Sequence, residues 1–144
     1  IGYLIQTARL LGIDTPKIAC IAPSEQVLSS VPSSTEGAIL AKMGDRGQLG
    51  NAIVDGPLSL DVALYKEVAE HKKVKGSAVA GDPDCLLFPN IESANVFFKA
   101  ATHFGGAELA AMVMGTKVPC VLTSRGDSRL TKMYSIALAC LAAR

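Results

Sequence analysis

The residues best suited to chemistry lie in one short loop, TSRGDS, at positions 123–128. The Arg125 guanidinium can bind a phosphate through two parallel hydrogen bonds, and Ser124 adds a hydroxyl donor. Gly126 lets the backbone turn tightly or approach a ligand closely, and Asp127 or Ser128 can cap a following helix. The loop therefore suits an anion, although a capped helix with a surface arginine explains the same residues.

A second polar set lies upstream, within the run PNIESANVFFK at 89–99. Glu92, Asn95 and Lys99 are spaced i, i+3 and i+7, so one helix face would carry an acid, an amide and an ammonium. This face could be the wall of a polar site, or a solvated helix surface. The RGD tripeptide within the loop is interpreted as coincidence.

The surrounding elements alternate between two patterns. Apolar runs of strand length lie at 17–22, 51–54 and 84–88, and helical patterns at 3–11, 38–49, 60–68, 91–104 and 129–143. This alternation predicts an α/β layered fold with a mainly parallel sheet and flanking helices. Ligands gather at the carboxyl ends of such strands, and the loop directly follows the apolar run 118–122. That run could also pair with 109–114 as antiparallel strands.

Three predicted helices have a defined start or buried face. Residues 33–36 offer an N-cap for the helix at 38–49, and Ser59 can cap a single amphipathic helix with Leu60, Leu64 and Val68 on its apolar stripe. The last helix is expected to bury its apolar residues, which are Leu130, Met133, Tyr134, Ala137, Leu138 and Leu141.

Composition excludes several classes of function. The 144 residues carry a net charge of +1, so nothing favours binding to nucleic acid or to a membrane surface. No signal peptide is recognised, and the opening at Ile1 in an apolar stretch is expected of a cut through a larger protein. Four cysteines without a CxxC pair indicate buried free thiols in a reducing cytoplasm. His71 and His103 fit surface or helix-end positions, and no metal site is predicted.

Longer motifs carry a family resemblance across the whole chain, in order. They are VAGDPDCLLFPNIESANVFFK at 79–99, VPCVLTSRGDS at 118–128, KMYSIAL at 132–138 and IVDGPLSLD at 53–61, together with Lys42-Met43 and Arg46-Gly47-Gln48. On these residues the chain resembles the phosphate acetyl/butyryltransferase family, and its butyryl branch more closely than its acetyl branch.

The resemblance implies an isocitrate/isopropylmalate-dehydrogenase-like fold, with this chain as the C-terminal half of a two-lobe enzyme. Residues 1–122 would be the second lobe, and 123–144 a returning segment with the site loop and the final helix. The implied reaction moves a short acyl group, butyryl or acetyl, reversibly between coenzyme A (CoA) and inorganic phosphate. CoA is then a substrate and no cofactor is permanently bound. The implied partners are acyl-CoA, phosphate, the N-terminal lobe and a second copy in a cytoplasmic homodimer.

Matched motif by motif, Ser124 takes the role of transition-state hydrogen-bond donor and Arg125 that of phosphate or CoA binder. Gly126 and Asp127 belong to the same substrate-binding loop, and Asn95 and Lys99 match positions near the cleft. The chain departs from the acetyl branch at Thr131, where that branch carries an aspartate base. Three roles are considered for Asp127: replacing that base, orienting Arg125 or capping the helix. The last two are favoured.

Two other interpretations remain open. The chain could be a non-catalytic lobe that binds CoA or a partner, which Thr131 and the absent half would favour. A dehydrogenase or decarboxylase of the isocitrate dehydrogenase type is disfavoured, because no metal-binding aspartate cluster is found in the sequence.

Overall fold

A computed structural model describes residues 1–143. The elements are, in chain order, α1 (Gly2–Leu10), β1 (Lys17–Ile21), α2 (Pro32–Asp45), β2 (Ile53–Leu58), α3 (Leu60–Leu64), α4 (Lys66–His71), β3 (Cys85–Leu87), α5 (Ile91–His103) and α6 (Arg129–Ala142). The chain forms two compact units, one of Ile1–Ser93 and one from Ala94 onward. The division at 122/123 implied by the family resemblance stays a prediction. Within residues 1–143, no helix is long and apolar enough to cross a membrane.

The first unit is built on a parallel three-stranded sheet with the order β2-β1-β3. In the central strand, Ile18 lies opposite Val54 of β2 and Cys85 of β3. Successive side chains of a strand point to opposite faces. Ile18 and Cys20 are therefore buried on one face and Ala19 on the other, as expected for a parallel sheet covered on both sides. The predicted α/β layered fold is confirmed.

Two apolar cores lie on the two faces of this sheet. One contains Ile5 of α1 together with Ile18, Cys20, Ala52 and Val54. The other joins Ala19 and Leu58 to residues of α3 and α4 and to the following loop, which are Val62, Ala63, Ala69 and Val79. Helices thus cover both faces, and the carboxyl ends of the strands remain at one edge.

The predicted start of α2 is wrong. The helix begins at Pro32, after Val31 at the N-cap position, and Pro suits the first helical turn because its missing N–H has no partner there. The predicted capping residues lie inside the first turn. Ser34 is 2% exposed; its hydroxyl accepts from the Leu28 amide at 2.8 Å and donates to the Gln26 carbonyl at 2.6 Å. It therefore holds the loop between β1 and α2.

The single amphipathic helix predicted from Leu60 is two short helices, α3 and α4. They are separated at Tyr65, whose backbone is extended (φ −121°, ψ 114°). The predicted strand end is also displaced, because β2 continues through Asp55, Gly56 and Pro57. The Gly56–Pro57 bond is cis, and the pairing register shifts opposite this segment.

The second unit contains little regular structure between its two helices. The two strands predicted at 109–114 and 118–122 are reduced to one antiparallel bridge between Val113 and Cys120, with an N···O distance of 2.8 Å. The backbone of the first segment bonds elsewhere, since the Ala111 amide donates to the Ser135 hydroxyl at 2.9 Å. Pro119 also has no N–H to offer a partner strand.

The predicted buried face of α6 is corrected. Its buried residues are Thr131, Ser135 and Leu138, spaced i, i+4 and i+7. The predicted apolar residues other than Leu138 are exposed: Leu130 by 43%, Met133 by 53%, Tyr134 by 42% and Leu141 by 38%, with Ala137 also exposed. Apolar spacing identifies an apolar face, but within the described residues no segment covers it.

Candidate functional site

The 123–128 loop is closed by two hydrogen bonds across its turn. The Asp127 amide donates to the Ser124 carbonyl at 3.2 Å, and the Ser124 amide donates to Asp127 Oδ2 at 2.6 Å. Asp127 is half-buried, whereas Ser124, Arg125 and Gly126 are exposed. The carboxylate of Asp127 thus organises the loop and leaves the two residues that suit an anion open to solvent.

Ser128 caps α6. Its hydroxyl accepts a hydrogen bond from the Thr131 amide at 3.0 Å, which satisfies one of the unpaired N–H groups of the first turn. Of the two capping residues considered from the sequence, Ser128 has this role, while Asp127 binds the loop amide. The helix spans 14 residues, so its amino end presents the positive end of a helix dipole beside the loop.

The backbone conformation at position 126 does not require a glycine. Its φ is not among the positive values, and a Cβ at this position would meet no atom within 4 Å. The tight-turn explanation from the sequence therefore does not apply. Of the two explanations offered from the sequence, the space around Gly126 leaves only the prediction of close ligand approach.

An open depression of about 300 Å³ lies within the second unit, beside the loop. Predicted site residues on its wall are Lys99 from α5 and Gly126 and Asp127 from the loop. Ser124 and Arg125 do not line it. Asn95 lies instead on a neighbouring, mainly apolar depression on the surface of α5, which Lys99 also lines. The Lys99 ammonium lies 4.3 Å from the centroid of the Phe98 ring, a cation–π contact that restrains its position.

Sequence reasoning missed Glu108. This carboxylate lines the same depression, and its Oε2 lies 3.2 Å from the Ser128 hydroxyl and 3.5 Å from that of Thr131. Thr131 is buried, and the Ser135 hydroxyl donates to its carbonyl at 2.7 Å. Three hydroxyls at the start of α6, those of Ser128, Thr131 and Ser135, therefore hydrogen-bond to the segment 108–111 that precedes the loop. No local pattern around Glu108 signals this contact.

The thiols and imidazoles follow the sequence prediction in part. All four cysteines are free, but only Cys20 is buried and Cys85 half-buried, whereas Cys120 and Cys140 are exposed. Burial, assisted by Asp55, raises the pKa of Cys20 to about 11, so this thiol is not a nucleophile at neutral pH. His71 and His103 are exposed and end α4 and α5, as predicted. No His, Cys, Asp and Glu side chains among the described residues form a group that could hold a metal ion.

A second, smaller depression of about 180 Å³ lies in the first unit at the carboxyl ends of β1 and β3. Its wall is mainly apolar and includes Ile21, Leu40, Leu87 and Pro89. The chain thus combines a parallel sheet covered on both faces with a second unit whose polar depression adjoins a capped helix N-terminus. These features define an α/β protein with a solvent-open polar depression beside the 123–128 loop.

Comparison with known proteins identifies the family. The phosphate acetyl/butaryl transferase family matches residues 4–140, and the chain belongs to this family. It is 48% identical to a phosphate butyryltransferase of Clostridium beijerinckii over 99% of its length and 47% of that protein. It is 45% identical to a phosphate acetyltransferase of Thermotoga maritima, covering 96% of the chain and 47% of the relative.

Solved structures agree with this assignment. A branched-chain phosphotransacylase from Enterococcus faecalis superposes with a TM-score of 0.87 at 36% identity, over 99% of this chain and 50% of that one. The family resemblance stated from the motifs is confirmed. The chain spans about half the length of the curated relatives it matches.

Proposed function

We propose that this chain is the C-terminal half of a phosphate acyltransferase that transfers a short acyl group, butyryl or acetyl, reversibly between CoA and inorganic phosphate. The observation that carries the proposal is the family match over residues 4–140, with relatives named phosphate butyryltransferase and phosphate acetyltransferase. In the acyl-CoA-forming direction, the CoA thiolate attacks the carbonyl carbon of the acyl phosphate, and phosphate leaves.

The chemistry of the depression supports this reaction. A phosphate requires cationic and backbone donors. Lys99 and the N-terminus of α6 supply them at the depression, and Arg125 is exposed on the adjacent loop without lining it. The carbonyl oxygen gains negative charge during attack, and a hydrogen-bond donor fixed beforehand stabilises it. Ser124 is proposed as this donor, because Asp127 fixes its amide and its side chain is exposed at the loop.

Gly126 provides a test of ligand approach. Because a Cβ at this position would contact nothing in the chain, Gly126→Ala should fold normally. If phosphate or CoA passes close to this backbone, the same change should raise KM several-fold. An unchanged KM would contradict a ligand-contacting role for Gly126.

The role of Arg125 is tested in the full-length polypeptide. Loss of a charged hydrogen-bonding partner costs about 1.5–3 kcal/mol, so Arg125→Ala should lower kcat/KM by about 10- to 100-fold. The assay follows CoA-dependent release of phosphate from butyryl or acetyl phosphate. Arg129→Ala, a change in the exposed first residue of α6, is the matched control. Equal activities in the two variants would refute the assignment.

The proposed partners are acyl-CoA, phosphate, the N-terminal lobe of the same enzyme and a second copy of it, in a cytoplasmic setting. The exposed apolar residues of α6 support such contacts, since a large uncovered apolar face is typical of an interface. In this proposal 1–122 form the second lobe and 123–144 return toward the other lobe. The 144-residue chain alone is then inactive, and CoA-dependent phosphate release by it would contradict this.

A second candidate is a non-catalytic lobe that binds CoA or a partner. Thr131 favours it, because this residue is buried and hydrogen-bonded and has no ionisable group at the position where a base would be expected. Full-length protein that binds CoA in calorimetry but releases no phosphate would support this candidate over the enzyme.

A further inference from the structure

Glu108 is an acidic side chain on the wall of the depression that none of the roles above uses. It lies in the irregular segment after α5, in the same unit as the 123–128 loop, and lines the depression with Lys99 and Asp127. We propose that Glu108 is the base that takes the proton of the CoA thiol. This inference rests on the proposed acyltransferase function and adds a residue to it.

The orientation of Glu108 carries the first step of the argument. The Ser128 hydroxyl accepts a hydrogen bond from the Thr131 amide, and its own hydrogen has two acceptors at 3.2 Å, Glu108 Oε2 and the Thr131 hydroxyl. The Thr131 hydroxyl lies 3.5 Å from the same oxygen. Both groups belong to the first turn of α6, so one carboxylate oxygen is restrained from a helix end. Oε1 accepts no hydrogen bond from any described residue and is available to a substrate proton.

The other ionisable groups of the depression suit the role less well. Asp127 is a carboxylate, but its Oδ2 already accepts the Ser124 amide at 2.6 Å and closes the loop. The His103 side chain makes no hydrogen bond or ion pair with any residue in the described range, so its ring is not oriented. Lys99 is a cation, which suits phosphate binding rather than proton removal. Glu108 is exposed and accepts only from hydroxyls. Protonation of Asp127, by contrast, would weaken the hydrogen bond that closes the loop, so among residues 1–143 Glu108 is the carboxylate of this wall better suited to take a proton.

The step balances as follows. Glu108 takes the thiol proton, and the S–H electron pair remains on sulfur as the thiolate. The thiolate forms the C–S bond to the acyl carbon, and the C–O bond to phosphate breaks from the tetrahedral intermediate. Phosphate leaves with the bonding pair, and Glu108 returns its proton to it. The products are acyl-CoA and hydrogen phosphate, and Glu108 is again a carboxylate.

Glu108→Gln in the full-length polypeptide is the main test. Glutamine keeps the size of the side chain and an oxygen that accepts the two hydroxyls, but it cannot take a proton. General base catalysis contributes about 10²–10⁴-fold, so kcat should fall by roughly 100-fold or more. The kcat of Glu108→Ala should fall by a similar factor. Glu70→Gln, on the exposed face of α4, should match the wild type.

A pH series separates a base from a structural role. The thiolate fraction of a free thiol rises with pH (the pKa of free cysteine is about 8.5), so the deficit of Glu108→Gln should shrink between pH 7 and pH 9. The charged and titratable groups facing Glu108 are Lys99 and His103 from α5 and Asp127 before α6, and all three remain in both proteins compared.

The outcomes are distinct. A Glu108→Gln variant with near wild-type kcat beside an impaired Glu108→Ala variant would overturn the inference, because hydrogen-bond acceptance alone would then suffice. A deficit that is constant with pH would overturn it too. A wild-type protein that binds CoA yet releases no phosphate would overturn the proposed function, and the inference with it.

Discussion

Gly81 allows the packing of α4 to be tested quantitatively. Its φ is +81°, and its amide donates to the Ala63 carbonyl at 3.0 Å. A Cβ at this position would lie 2.5 Å from the Lys66 Cα and 2.9 Å from its amide nitrogen. Gly81→Ala therefore adds two costs. The left-handed conformation costs about 1–2 kcal/mol for a residue with a Cβ, and a backbone clash in a packed region costs about 1–3 kcal/mol.

We expect Gly81→Ala to lower the free energy of unfolding by about 2–5 kcal/mol, from these two terms together. Gly76→Ala is the matched control. Gly76 has a similar φ of +75°, but a Cβ there would meet nothing within 4 Å, so only the conformational cost of about 1–2 kcal/mol applies. Urea unfolding, monitored by circular dichroism, measures the free energy of unfolding of both variants. Equal losses in the two variants would refute the argued contact between 81 and α4.

Three further results are expected. Ser34→Ala should destabilise the protein by about 1–3 kcal/mol in urea unfolding, because it removes the two hydrogen bonds of a buried hydroxyl, each worth about 0.5–1.5 kcal/mol. A near-neutral result, equal to that of the exposed control Glu36→Ala, would contradict this. Hydrogen bonds from Ser59 and then Lys72 lower the pKa of Asp61 to about 2; the stability it contributes is present above its ordinary pKa of 3.8 and should be lost as the pH falls toward 2. Acid unfolding of Asp61→Asn should accordingly be less steep in that interval, and identical profiles would exclude a role for the carboxylate. Iodoacetamide at pH 7.5 should modify exposed Cys120 in the native protein and spare Cys20 until unfolding, as read by mass spectrometry of peptides, and equal rates would contradict the burial of Cys20.

The elements of the first unit were largely predictable from the sequence. Lys17–Ile21 is apolar on both faces, which is typical of a central parallel strand, and the structure places it between β2 and β3. The break between α3 and α4 was not predictable, because the apolar residues on either side of Tyr65 keep the spacing of one continuous helix. The early start of α2 was missed because Ser34 bonds to the preceding loop and not to its own helix.

The site was predictable where the information is local. Ser128 precedes a helical pattern directly, so its capping role follows from residue type and position. Glu108 lies 20 residues from Ser128 in the sequence, and their contact depends on the path of an irregular segment with no periodicity. The exposed face of α6 was mispredicted for another reason. Apolar spacing identifies the apolar face of a helix but not the segment that covers it.

The order of the three strands has a consequence for self-association. β2 and β3 are the edge strands of the sheet formed by the described residues, and an unpaired edge can template the addition of a foreign strand. β3 is only three residues long. β2 carries Pro57, which offers no N–H, at the point where its register is irregular. Both edge strands are therefore poor templates for cross-β aggregation. We expect the sheet not to pair with strands of other molecules even in a concentrated protein solution.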